Sequence, residues 1–228
     1  MATYVFVPGA GGAAWYWHLV GAELERRGHE AIAVDLPAAD EQAGLIEYRD
    51  VVVQAIDGRR GVVLVALSFG GMTAPLVCDA ADVALLVLVN AMVPAPGESP
   101  SDWWGNVGHE AARRAAATRE GWDLHDESAV FFHDVPAHLV AESAQHDPPQ
   151  AGRPFDAPWP SASWPDVPTR FILGRDDRFF PADLQRRVVR ERLGIEADEI
   201  DGGHLNPLSR PREIAAQLEA YRLEYGIA

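Results

Sequence analysis

The sequence predicts a doubly wound α/β domain with a mainly parallel sheet, and three observations carry that prediction. Short runs of apolar, β-prone residues recur along the chain; segments with apolar positions three and four apart separate most of them; and 228 residues suffice for one sizeable core. Strands that are apolar throughout need cover on both faces, which intervening helices supply.

In order, TYVFV (3–7) reads as the first strand, and residues 15–27 repeat apolar positions at helical spacing until Gly28, a suitable C-terminal cap. AIAV (31–34) is a second strand, followed by helical spacing over 44–57. VVLVA (62–66) leads into a helix over 71–80, and ALLVLV (84–89) is the fourth strand. RFIL (170–173), a helix over 182–193, the weaker strand EADEI (196–200) and a helix over 211–225 complete the pattern. Pro211 suits the first turn of that last helix. Ligands of such sheets bind beyond the carboxyl ends of the strands, so chemistry is expected there.

Residues 91–168 interrupt the alternation. They hold most of the prolines and tryptophans and five of the eight histidines, and they are too long for a plain connection. The expected organisation is therefore a core of residues 1–90 and 169–228, with 91–168 forming a cap over the active face. Short helices are expected at 108–119 and 127–145, with a proline-rich return over 147–168.

A net charge of −15 disfavours a nucleic-acid partner, because phosphate binding draws on clustered basic residues. All 19 basic residues are Arg, a compositional bias from which no mechanism follows. The single cysteine, Cys78, cannot form an internal disulfide and reads as a small packed residue on a helix. The first residues have no basic region before a short apolar run, and no apolar stretch approaches the roughly 20 residues of a membrane span. A cytoplasmic protein without membrane association is expected; oligomeric state is not encoded in any pattern.

The chemistry begins in Ala66-Leu67-Ser68-Phe69-Gly70, a serine between a strand and a helix among small residues. Such a turn lifts the hydroxyl above the sheet and has the form G-x-S-x-G, here with alanine in the first position. A serine nucleophile needs a base and a group to orient it, and in the fold whose serine turn this stretch resembles they follow in the chain order Ser, Asp or Glu, His. After RFIL comes GRDDRFFP with Asp177, and after the next strand DGGHLNPLSRP with His204. Asp176 competes for the acid role and Asp201 is a weaker candidate; a turn or cap explains whichever aspartates are not used. The two glycines of GGH allow a tight loop that returns the imidazole towards Ser68.

A negative oxygen formed at the attacked carbonyl needs fixed N–H donors. Phe69, opening the helix, and Ala10, within PGAGGAAW after the first strand, are the expected backbone donors. The same glycine-rich turn could hold phosphate, but the last glycine of G-x-G-x-x-G is missing and only Asp35 follows the second strand.

Together, VFVPGAGGAAWYWHLVGAELERRGHEAIAVDLPA, VALSFGGM, FILGRDDRFFP and DGGHLNPLSRP resemble the α/β-hydrolase superfamily, and within it the small plant methylesterases and hydroxynitrile lyases. The resemblance covers residues 3–90 and 168 onward, and extends loosely to FFHDVPAHLVAESA. It implies Ser68 as nucleophile, His204 as base, Asp177 as acid, and Ala10 and Phe69 as oxyanion donors, with no metal or cofactor. The lyases carry Thr, Glu and Lys where this chain has Gly9, Leu67 and Leu205, so cyanohydrin cleavage is disfavoured. Esterases of the branch often carry His where Pro8 and Leu67 stand, which leaves ester specificity open.

The cap histidines 109, 125, 133, 138 and 146 contain no i, i+4 pair, so hydrogen-bonding or solvated roles are preferred to a metal site. Trp103, Trp104, Trp122, Phe131, Phe132 and Phe180 are candidates either for an acyl pocket, with Leu67 and Leu205, or for packing the cap on the sheet. The expected activity is hydrolysis of a small or medium, partly apolar carboxylic ester. The alternatives are a receptor-like protein with little turnover, or cleavage of lactones, thioesters or carbon–carbon bonds.

Overall fold

The computed structural model describes residues 1–146 and 148–228. Six strands, β1 (Thr3–Val7), β2 (Glu30–Ala33), β3 (Val62–Leu67), β4 (Val83–Val89), β5 (Thr169–Gly174) and β6 (Asp198–Ile200), form one parallel sheet in the order β2-β1-β3-β4-β5-β6. Around it lie a 3₁₀ turn (Ala14–Trp17) and the helices α1 (His18–Arg26), α2 (Leu45–Ile56) and α3 (Gly70–Cys78). Between β4 and β5 come α4 (Pro100–Asn106), α5 (His109–Glu120), α6 (Glu127–Phe131), α7 (Ala137–Ser143) and α8 (Arg153–Asp156), and then α9 (Ala182–Leu193), α10 (Asn206–Ser209) and α11 (Pro211–Glu224).

Alternation along the strands divides the core into two layers. On β3, Val62, Leu64 and Ala66 join one cluster, with Tyr48 and Val52 of α2, Met72 of α3 and Val188 of α9. Val63, Val65 and Leu67 join the other, with Val20 and Leu24 of α1 and Ile214 and Leu218 of α11. All six residues of β3 are buried, so neither face can carry polar groups. Each fully buried Val or Leu contributes about 1.5–3 kcal/mol relative to exposure.

The chain passes from β1 to β2 on one side and then returns to place β3 on the other. The strand order thus reverses between β1 and β3, and a crevice opens beyond their carboxyl ends. Gly9 and Ala10 follow β1 there, and Ser68 follows β3.

The segment between β4 and β5 packs on the sheet, and its helices differ from the expected ones. Trp103, Val107 and Trp159 belong to one of the sheet's own core layers, so the segment is joined to the sheet through a common core. Trp103 donates its indole N–H to the Val93 carbonyl at 3.0 Å, and Trp159 donates to that of Met72 at 3.0 Å. The expected helix over 127–145 is divided at residues 132–136, because Pro136 has no N–H to offer and opens α7 instead. Sequence periodicity also passed over α4, whose Ser99 Oγ caps the Asp102 N–H at 3.0 Å ahead of Pro100, and over the single turn of α8 in the proline-rich return. Residue 147, where that return was expected to begin, lies outside the described residues. At the sheet edge, β6 is reduced to three residues of the expected five.

Candidate active site

Ser68 occupies the left-handed backbone region at φ 52°, unusual for a residue with a side chain. The turn follows from its closeness to two strands and explains the glycines after it. A Cβ on Gly70 would lie 2.5 Å from the Pro8 carbonyl oxygen, and one on Gly71 would overlap that of Met92. No larger residue lets α3 start so near β1 and the chain after β4. Phe69 stands at the N-cap of α3, so the peptide after Ser68 lies where orphan N–H groups and the helix dipole favour negative charge.

His204 and Asp177 converge on Ser68 from the ends of β6 and β5. His204 Nε2 is 2.9 Å from Ser68 Oγ, and its Nδ1 is 2.9 Å from Asp177 Oδ2. The His204 and Asp177 side chains are 2% and 0% exposed, so both hydrogen bonds are shielded from water. Asp177 Oδ1 accepts the backbone N–H groups of Phe179 and Phe180, each at 2.8 Å, and Gln185 Nε2 donates to Oδ2 at 3.2 Å. Asp177 therefore faces four donors, one of them the histidine ring. Asp176 points away: its Oδ2 accepts the Gly202 N–H at 3.1 Å, while Asp201 pairs with Arg175 at 2.6 Å.

Two buried amides that the motifs did not reveal hold these loops in register. Asn90, fully buried after β4, donates from Nδ2 to the carbonyls of Gly203 (3.2 Å) and His204 (3.0 Å) and accepts the Gly174 N–H at 2.7 Å. Gln185 on α9 donates to the Phe180 carbonyl at 2.6 Å and to Asp177. The available signal was the asparagine itself, a polar residue ending the apolar run VLVNAM. A residue there must satisfy several backbone groups in a dry site.

The loop after β1 is braced similarly. The Gly12 N–H closes a turn on the Gly9 carbonyl at 3.1 Å, Asp35 Oδ1 accepts from the Ala14 N–H at 2.8 Å, and Gln150 Oε1 accepts from the Gly11 N–H at 2.9 Å. Asp35 thus anchors the loop. Ala10 borders the crevice beside Ser68.

Ser68 and His204 open into a cavity of about 570 Å³. Leu67, Leu205 and Phe131 line it, as do Phe132, Tyr16, Phe179 and Val140, with Ser128, Ser143 and Glu127 as polar members. Four aromatic residues considered for this wall lie elsewhere. Trp103 is 2% exposed within the core, and Trp104 packs edge-on against it and against Phe179. Trp122 lies under the Arg178 guanidinium, 5.7 Å from ring centroid to charge. Phe180 is 1% exposed and presses on the His204 ring at a centroid distance of 5.1 Å, so it walls the imidazole rather than the cavity. The rings of Trp103, Trp104 and Phe180 turn inward because aromatic area is worth more in a core or against another ring than in water.

The cap histidines do not converge either. His109 donates to the Phe179 carbonyl at 2.8 Å, His133 to that of Asp176 at 3.0 Å, and His146 stacks on Trp15. Burial pushes the His109 imidazole down to about 4, against the smaller pull of its carbonyl partner. Cys78, partly buried on α3, has its thiol pushed up to about 12 by desolvation and offers no thiolate at neutral pH.

The chain is similar to known proteins. "Probable esterase PIR7A" of Oryza sativa subsp. indica is 27% identical over 258 residues, covering 97% of each chain. Methylesterase 3 of Arabidopsis thaliana is 27% identical over 245 residues, covering 94% of this chain and 93% of that protein. The crystal structure of polyneuridine aldehyde esterase superposes with a TM-score of 0.81 at 21% identity, covering 97% of this chain and 99% of the other, a likeness of fold. A family model described as alpha/beta hydrolase matches residues 4–217, from the first strand into the last helix and through the whole segment between β4 and β5. On that span the chain belongs to the alpha/beta hydrolase family.

Proposed function

We propose that the protein is a serine esterase acting on small to medium, partly apolar carboxylic esters through an acyl-enzyme. The reading rests above all on the continuous path from Asp177 through His204 to Ser68, two hydrogen bonds of 2.9 Å in a shielded site. His204 Nε2 takes the Ser68 proton as Oγ attacks the ester carbonyl; Asp177 holds the Nδ1–H and stabilises the imidazolium. The tetrahedral oxyanion meets the backbone N–H groups of Phe69 and Ala10, where each such donor is worth about 3 kcal/mol. The imidazolium passes its proton to the departing alkoxide, and water then repeats the cycle on the acyl-enzyme, releasing a carboxylic acid and free Ser68.

The cavity wall supports this substrate class. Phe131, Phe132, Phe179, Leu67, Val140 and Leu205 favour alkyl or aryl groups, and Ser128 and Ser143 accommodate a polar substituent. Glu127 borders the same space and disfavours a free carboxylate elsewhere on the ester substrate. The names of the two plant relatives, an esterase and a methylesterase, support ester hydrolysis as the reaction.

A fluorophosphonate probe tests the assignment. One equivalent is expected to add to Ser68, with loss of activity towards neutral aryl esters, and Ser68→Ala is expected to abolish both. Labelling that persists in Ser68→Ala overturns the nucleophile. Stoichiometric labelling without multiple turnover on any ester, thioester or lactone would return the receptor-like reading.

A further inference from the structure

The His204 loop is held by contacts on either side of Gly203. Asn90 holds the carbonyls of Gly203 and His204 from the sheet side. The Gly203 N–H takes its partner from the segment between α6 and α7. Asp134 Oδ2 accepts that N–H at 2.9 Å and the Ser209 hydroxyl at 2.6 Å, so one carboxylate oxygen joins the start of the loop to α10 beyond it. The adjacent His133 donates to the Asp176 carbonyl at 3.0 Å, on the acid loop. Two consecutive cap residues thus hold the two loops that present His204 and Asp177.

The second glycine of GGH fits this contact. Gly202 adopts φ 109° and is needed for its backbone conformation. Gly203 has no such φ, but a Cβ there would lie 2.6 Å from His133 Nε2 and 2.8 Å from Asp134 Oδ1. Its missing side chain is what lets the cap approach. Asp134 itself borders neither Ser68 nor the cavity.

We infer that Asp134 is a positioning residue for His204: through the Gly203 N–H it fixes the loop carrying the imidazole, so the cap segment sets the base's geometry as well as the cavity wall. This rests on the proposed serine mechanism. A carboxylate is not required at this point; an acceptor of the same reach is. Asp134 Oδ1 is buried without a hydrogen-bond partner among the described residues, so an amide in its place would keep the Oδ2 contacts.

The test compares Asp134→Ala, Asp134→Asn and Gly203→Ala in the full chain, using p-nitrophenyl acetate and fluorophosphonate titration of active sites. For Asp134→Ala, kcat per titrated site is expected to fall about tenfold with KM within twofold, because geometry is lost while the cavity wall is kept. The downfield Nδ1–H proton resonance of His204 should broaden or shift. Asp134→Asn should restore kcat to within about threefold, and Gly203→Ala should resemble Asp134→Ala. A structural role alone would lower the fraction of titratable sites and leave kcat per site and the imidazole resonance unchanged; that result, or an Asp134→Asn no better than Asp134→Ala, overturns the inference. If Asp134→Ala does not fold, the comparison of Asp134→Asn with Gly203→Ala decides by the same readouts. Failure of wild-type labelling at Ser68 would instead strike the serine mechanism, while the resonance still reports on the loop.

Discussion

At the scale of single residues, the site depends on which of two adjacent aspartates faces the imidazole. Asp177 receives the His204 ring and three further donors, whereas the Asp176 carboxylate serves the Gly202 N–H. An amide at 177 would present either a donor to Nδ1 or an acceptor without charge, and would favour the wrong ring tautomer. Asp177→Asn is expected to lower kcat by about 10⁴-fold, and Asp176→Asn, which keeps an acceptor for Gly202, by less than about tenfold. Steady-state kinetics on p-nitrophenyl acetate distinguish them. A larger fall in Asp176→Asn would transfer the acid role by one position.

At the scale of elements, α5 meets the acid loop through the buried His109 at its first residue and through Arg113, whose guanidinium lies over the Phe179 ring. His109 is 5% exposed, donates to the Phe179 carbonyl and lies among Trp104, Phe179 and Phe180. Burial lowers its folded value from 6.5 to about 4, so between those limits the unfolded chain binds more protons than the folded one. Stability therefore falls as pH drops from 6.5 towards 4, by up to about 3 kcal/mol from this group, and is intact above 6.5. Urea unfolding of wild type at pH 7 and pH 5 should show the loss. His109→Gln, neutral at both, should show a smaller one. Equal pH slopes in the two proteins would remove His109 from the account.

At the scale of the whole molecule, a net charge of −15 surrounds a cavity that itself includes Glu127. Esters carrying a negative charge approach against that field, and cationic esters along it. Raising ionic strength from about 10 to 300 mM shortens the Debye length from roughly 30 to 6 Å. Stopped-flow or steady-state kcat/KM should rise severalfold for an anionic aryl ester, fall for a cationic one and stay within about twofold for a neutral one. An identical salt response for all three would mean that the field does not reach the crevice. The described residues contain no helix long and apolar enough to cross a membrane.

The parallel sheet, the order of its elements and the three residues at the ends of β3, β5 and β6 could all be read from the sequence, because each is encoded locally. An apolar run specifies a buried strand, helical spacing specifies the cover, and Ser68, Asp177 and His204 each follow a strand at a distance of a few residues. The partners of those residues had no such local mark. Asn90 meets the His204 loop across 114 positions and Asp134 meets Gly203 across 69, and only the packing of β4 and the cap on the sheet makes those distances short. The same holds for the aromatic residues. Composition supplied Trp103, Trp104, Trp122, Phe131 and Phe180 with equal claims to the cavity, and the tertiary structure sent Phe131 to its wall and the others to the core, to Arg178 or to the back of His204. Periodicity reports which face of an element is apolar; what that face meets depends on how distant elements fill the remaining space, and that is decided only when the chain is folded.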